Sequence, residues 1–156
     1  MQKKNDRTFT DPAGQSWASK LEWLVYEFFR LSGRDVRRTD KSDTVTYYTS
    51  IHQGGCLECG GSKVAQRRTY TPDLYVADSG EVEAVEGGYY IECKGYFPGT
   101  KRSLLASVHS QHQSLNLRVI FASEVKLTKA RTNVQYVKTY IKCPVGIFKN
   151  GELIWK

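Results

Sequence analysis

The run LNLRVIFAS, residues 115–123, is largely apolar. A strand with one face in water alternates polar and apolar residues, whereas a run of this kind belongs at a buried position in a sheet. It lies between two stretches of helical spacing. GTKRSLLASVHSQHQ carries Leu104, Leu105 and Val108, and NVQYVKTYIK sets Val134, Val137 and Ile141 on one face. Upstream, SKLEWLVYEFFRLSG places Leu21, Leu24, Val25, Phe28 and Leu31 on a helix that Gly33 stops. RDVRRTDKSDTVTYYTS reads as one strand, with Val45, Tyr47 and Thr49 alternating against Thr46 and Tyr48. TYTPDLYVAD and YYIECKGYF read as two more strands around an acidic turn. VGIFKNGELIWK reads as a hairpin about Asn150-Gly151, the strongest local turn signal in the chain. The order α-β-β-β-α-β-α-β-β predicts an α/β fold with a central mixed β-sheet flanked by helices.

A chain of 156 residues is long enough for one domain with its own core. Residues 1–15 read as a flexible arm, and 16–156 as a single domain with a cysteine-containing loop insertion at about 50–66. No run of 18 apolar residues offers a membrane span, and the polar start MQKKNDRTFTDPAGQS lacks a signal-peptide core. The expected location is therefore cytoplasmic. A net charge of +7 favours an anionic partner, most often nucleic acid.

The charged residues in the strands carry the chemistry. Alternation in YYIECKG sends Tyr90, Glu92 and Lys94 to one face and Tyr89, Ile91 and Cys93 to the other. If the preceding strand pairs antiparallel, Asp73 of TPD lies beside Glu92. Two converging carboxylates repel unless a cation sits between them, and Mg²⁺ suits an oxygen-only site. Such a metal polarises a phosphoryl oxygen and acidifies a water, which a neighbouring lysine orients or deprotonates. Pro72 stiffens the chain before Asp73, and Gly95 leaves room for close approach. A solvated Glu-x-Lys pair on a strand is the plainer alternative.

With TYTPDLYV, YYIECKGYF and SQHQSLNLRVIFAS together, the chain from about Trp17 to Trp155 resembles the phage endonuclease I family. These are the Holliday-junction-resolving nucleases of T7-like phages, within the PD-(D/E)XK superfamily. The resemblance implies a restriction-endonuclease-like core and catalysis by Glu22, Asp73, Glu92 and Lys94. It implies two divalent metals, Mg²⁺ with Mn²⁺ able to substitute. Asp73, Glu92 and the Cys93 carbonyl would hold one, Asp73 and Glu22 the other. It also implies an element-exchanged homodimer, cutting four-way DNA junctions through two opposed sites. Two features depart from the family: the segment before TYTPD and the acidic hairpin between Asp73 and Glu92 are both longer here.

Several residues carry a second reading. Ser19-x-x-Glu22 also fits a capping box, which would make Glu22 structural; Glu27 is the weaker helix acid. Lys101 and Arg102 open the helix after the Glu-x-Lys strand and are candidates for DNA phosphate contact, as are Arg67, Arg68, Arg37 and Arg38. His109 and His112 read as packing residues. CLECGG offers half a zinc site in Cys56 and Cys59, with His52 as a third ligand and Cys143, Cys93 or a second subunit supplying the fourth. Structural Zn²⁺, two free thiols and redox chemistry all remain open there. Two rival functions use the same residues differently: a nuclease degrading linear or mismatched duplex DNA, and a non-catalytic DNA-binding module with a zinc knuckle.

Overall fold

The computed structural model describes residues 8–52, 63–77 and 87–156, with the side chains of 50–52 and 63–64 excepted. A six-stranded mixed sheet forms the centre. Its strands are β3 (Val36–Arg38), β6 (Leu74–Val76), β7 (Tyr89–Lys94), β8 (Leu117–Phe121), β9 (Val145–Lys149) and β10 (Glu152–Trp155), in the order β10-β9-β8-β7-β6-β3. β7, β8 and β9 run parallel, and the pairings at both ends of the sheet are antiparallel. Parallel neighbours require crossovers. Helix α2 (Gly99–Gln111) makes the first, and the α3 turn (Asn133–Tyr136) with the π-helical turn Val137–Ile141 makes the second.

Helix α1 (Lys20–Leu31) covers one face of the sheet. There Val25 and Phe29 pack with Ile91, Cys93, Ile120 and Phe148. The other face belongs to α2 and α3, where Leu105, Val108, Val134 and Val137 pack on Leu117, Val119 and Phe121. The apolar run at 115–123 is therefore β8, covered on both faces as expected. Asn150 and Gly151 take φ of 54° and 80° and close the β9–β10 hairpin in two residues, in the left-handed conformation that such a turn needs.

Four local expectations are corrected. The core face of α1 is rotated: Phe29 is buried, Phe28 only half-buried against Phe148, and Leu31 is 74% exposed. Eight of its twelve residues are apolar, so the stripe is wide and spacing alone could not fix its centre. The arm read over 1–15 is strand by Phe9, because β1 (Phe9–Thr10) pairs with β2 (Ser16–Trp17) and Phe9 stacks on Trp23. The single strand read over 34–50 is two. β3 joins the main sheet, a 3-10 turn (Lys41–Asp43) capped by Asp40 reverses the chain, and β4 (Val45–His52) pairs elsewhere. Its partner is β5 (Lys63–Tyr70), so the loop insertion at about 50–66 is strand at both ends.

The β4–β5 ribbon is a separate two-stranded sheet tied to the end of α2. The Gln111 amide donates to the Tyr48 carbonyl at 2.8 Å and accepts the Tyr48 N–H at 2.9 Å, as a neighbouring strand would. His112 Nε2 lies 2.6 Å from the Thr46 carbonyl. The packing role expected of His112 is thus a polar tether. No helix among the described residues is long and apolar enough to cross a membrane.

The rotated α1 face has a measurable consequence. Phe29→Ala should cost about 3–5 kcal/mol in urea unfolding, while Leu31→Ala should change stability by less than about 0.5 kcal/mol.

Candidate functional site

β6 and β7 pair antiparallel with Leu74 opposite Ile91 and Tyr75 opposite Tyr90. One residue further along this register, Asp73 stands opposite Glu92. The backbone fixes the acid twice: Asp73 N–H donates to the Ile91 carbonyl at 3.0 Å, and Cys93 N–H donates to Asp73 Oδ2 at 2.7 Å. From the edge strand, the Thr39 hydroxyl donates to the Pro72 carbonyl, and Thr39 N–H reaches the Asp73 carbonyl at 3.3 Å.

Glu92 and Lys94 share a face, as alternation requires, and form a close ion pair through Glu92 Oε1. The other oxygen, Oε2, accepts the Tyr70 hydroxyl at 2.5 Å. Asp73, Glu92 and Lys94 line a cleft of about 290 Å³ whose walls also include Tyr70, Thr71 and Lys101. Glu22 is buried at the start of α1. Its backbone N–H donates to Ser19 Oγ at 3.1 Å, which makes only one half of the expected capping box.

The electrostatics follow from crowding acids in a dry place. Burial, and then the Glu92 charge, push the Asp73 carboxyl up to about 8. Burial likewise raises Glu22, which Glu92 raises further and Arg38 draws back. Burial lowers the proton affinity of Lys94, yet Glu92 and Asp73 outweigh it and hold the ammonium above its ordinary range. Burial and the Glu92 charge push the Tyr70 hydroxyl far up, so it stays a donor.

Among the described residues, no three His, Cys, Asp or Glu side chains form a ready metal cluster. Protein donors already engage the acids: Lys94 and Tyr70 hold Glu92, and the Cys93 N–H holds Asp73. The donor set is nonetheless chemically suited to a hard divalent cation. It consists of buried carboxylate oxygens whose mutual repulsion a cation would relieve.

The remaining sequence candidates separate clearly. Lys101 lines the cleft, whereas Arg102 is turned onto the Tyr136 ring, 5.2 Å from its centroid. Arg67 and Arg68 lie exposed on β5, with Arg68 bonded to Gln66. Arg37 is committed to a fork–fork pair with Asp43, at 2.7 and 2.8 Å, and Arg38 donates to the Ser16 carbonyl over Trp17. Glu27 pairs with Arg30. Cys56, Cys59 and the His52 side chain lie outside the described residues. Cys93 and Cys143 are buried in different core clusters. Burial pushes both thiols up, Cys143 to about 12, against the deprotonation a zinc ligand needs.

Sequence reasoning missed Tyr70 and Asp43. Tyr70 sits in TYTPD itself, three residues before the acid, but nothing local shows that its hydroxyl turns inward to Glu92. Asp43 is buried, accepts from Arg37, Tyr90 and the Asp40 N–H, and is held by Arg37 well below the usual carboxylate range. This satisfied network fastens β7 to the edge of the sheet.

No family model matches the chain, and searches of curated proteins and of solved structures also found no match.

The raised Asp73 carboxyl sets a pH dependence. Its folded value of about 8 exceeds the ordinary 3.8. Between those values the folded state binds more protons than the unfolded one, so stability falls as pH rises through this window. Metal-free denaturation curves should show that fall in the wild type, and Asp73→Asn should remove most of it. An equal fall in both would place the titration elsewhere.

Proposed function

We propose that this protein is a metal-dependent endodeoxyribonuclease with a PD-(D/E)XK type of core, hydrolysing phosphodiesters in branched DNA and resolving four-way (Holliday) junctions as a homodimer. The observation that carries this reading is Asp73 opposite Glu92, with Lys94 on the same face, in a cleft that Lys101 also lines. The net charge of +7 supports a polyanionic substrate. Junction preference and the element-exchanged dimer rest on the resemblance of the motif residues.

Asp73 and Glu92 would hold a divalent cation, Mg²⁺ or Mn²⁺, with Glu22 and the Cys93 carbonyl as further donors. Such a cation supplies Lewis acidity to the phosphoryl oxygen and acidifies the attacking water. Lys94 orients that water and stabilises charge developing on phosphorus. While Glu92 is paired to it, Lys94 keeps its proton firmly. Tyr70 holds one Glu92 oxygen in place, and Lys101 is placed to bind a phosphate oxygen at the cleft wall.

The test is cleavage of a labelled four-way junction against a linear duplex of matched sequence, with Mg²⁺ and with EDTA. The wild type should cut the junction selectively and only with metal, and Lys94→Ala should slow cutting about 10²-fold or more. Equal cutting of both substrates would keep the chemistry and select the duplex-degrading alternative. Tight binding without cutting would select the non-catalytic module. Sedimentation of the active species should return twice the 17.8 kDa chain mass.

A further inference from the structure

A row of alternating cations and rings leaves the cleft on the α2 side. Lys101 lines the carboxylate cleft, and the next residue, Arg102, lies over Tyr136 at 5.2 Å. Tyr136 stacks on Tyr140 with centroids 4.8 Å apart, and Arg131 lies over Tyr140 at 4.8 Å. Phe97 anchors the row from beneath, touching both Phe121 in the core and Tyr136. Tyr140 is 46% exposed, far from what a packing residue would show. Among the described residues no carboxylate pairs with Arg102 or Arg131, and Arg131 is exposed.

The loop that delivers Arg131 is built rather than slack. Buried Asn133 accepts from the Val125 N–H at 3.0 Å and donates to the Ser123 carbonyl at 2.9 Å. Lys126 and Thr132 form a β-bridge, and the Thr128 hydroxyl accepts from the Ala130 and Arg131 N–H groups. This frame presents exposed Lys126, Lys129 and Arg131, and the following turn adds Lys138 and Lys142. The one acid from 123 to 142, Glu124, is hydrogen-bonded to Thr132. A fixed basic surface interleaved with half-exposed aromatics suits a polyanion whose flat groups are free to stack. A duplex keeps its bases stacked on one another, so it can use the cations but not the rings.

We propose that this row is a second nucleic-acid site, binding an unpaired strand with its bases on Tyr140, Tyr136 and the Arg131 plane and its phosphates on Arg131, Lys129 and Lys126. It deepens the nuclease reading, and rests on it only in making the strand continuous with the cleft. An unpaired stretch would then be held beside the scissile bond through the shared first turn of α2, from which Lys101 and Arg102 diverge.

The experiment is fluorescence anisotropy in EDTA, where no cleavage occurs, using a labelled oligothymidine of about twelve nucleotides and a blunt duplex of the same length. Tyr140→Ala should weaken oligothymidine binding about tenfold and leave duplex binding unchanged. Tyr48→Ala, an exposed tyrosine on β4, should change neither. No loss, an equal loss on both ligands, or the same loss from Tyr48→Ala would each overturn the site. The wild type gives a second test that needs no variant. Photocrosslinking to a strand carrying 5-iodouracil should yield adducts at Tyr136 or Tyr140, and adducts mapping only elsewhere would overturn it. Both readouts are metal-free, so failure of the nuclease reading would show as absent cleavage and leave them untouched.

Discussion

The ion pair between Glu92 and Lys94 is the interaction on which the rest of the site depends. The β6–β7 register sets half-buried Asp73 against buried Glu92, and buried Glu22 adds a third acid nearby. An uncompensated buried carboxylate costs several kcal/mol, so these acids are tolerable only where cations and donors answer them. Lys94 answers Glu92 with charge, Tyr70 with a hydroxyl, and the Cys93 N–H answers Asp73. What remains unbalanced shows in the raised Asp73 and Glu22 carboxyls. Burial raises both, and the Glu92 charge adds to it.

The sheet keeps this arrangement in place by separating two cores. Ile91 and Cys93 point into the α1 side and lock β7 there, which leaves Glu92 and Lys94 no choice of face. On the opposite side α2 brings Lys101 to the cleft while Leu105 and Val108 pin the helix to β8. At the edge strand, polar bonds add to the packing of Val36: Thr39 to the Pro72–Asp73 backbone, and Asp43 to Arg37 and Tyr90. Rigid support on three sides is what a site needs when its acids would otherwise move apart.

The cationic residues divide by what neutralises them. Arg37 is spent on Asp43 and Arg30 on Glu27, and both serve the fold. Lys101 and the Arg102–Arg131 row have no such partner among the described residues. A positive charge without an acid nearby is inexpensive in water, and it becomes useful where a phosphate can reach it. The two surfaces meet at the first turn of α2, so the helix that crosses between β7 and β8 also joins the acid cleft to the aromatic row.

The sequence determined what local periodicity and turn chemistry can encode. Alternation put Glu92 beside Lys94 and away from Cys93, the apolar run specified a doubly covered β8, and Asn150-Gly151 specified the last hairpin. Each depends only on neighbours within a few residues. Where periodicity is ambiguous it failed: the apolar stripe of α1 is wide, so the burial of Phe29 over Leu31 was decided by the sheet beneath. The break between β3 and β4 came from Asp43, whose partners Arg37 and Tyr90 are six and 47 residues away. Only the tertiary structure decided that Asp73 meets Glu92, that Tyr70 turns inward to it, and that Lys101 and Arg102 face different surfaces. Those outcomes depend on register and on which helix covers which face, and the free energy that selects them comes from contacts between segments far apart in the chain.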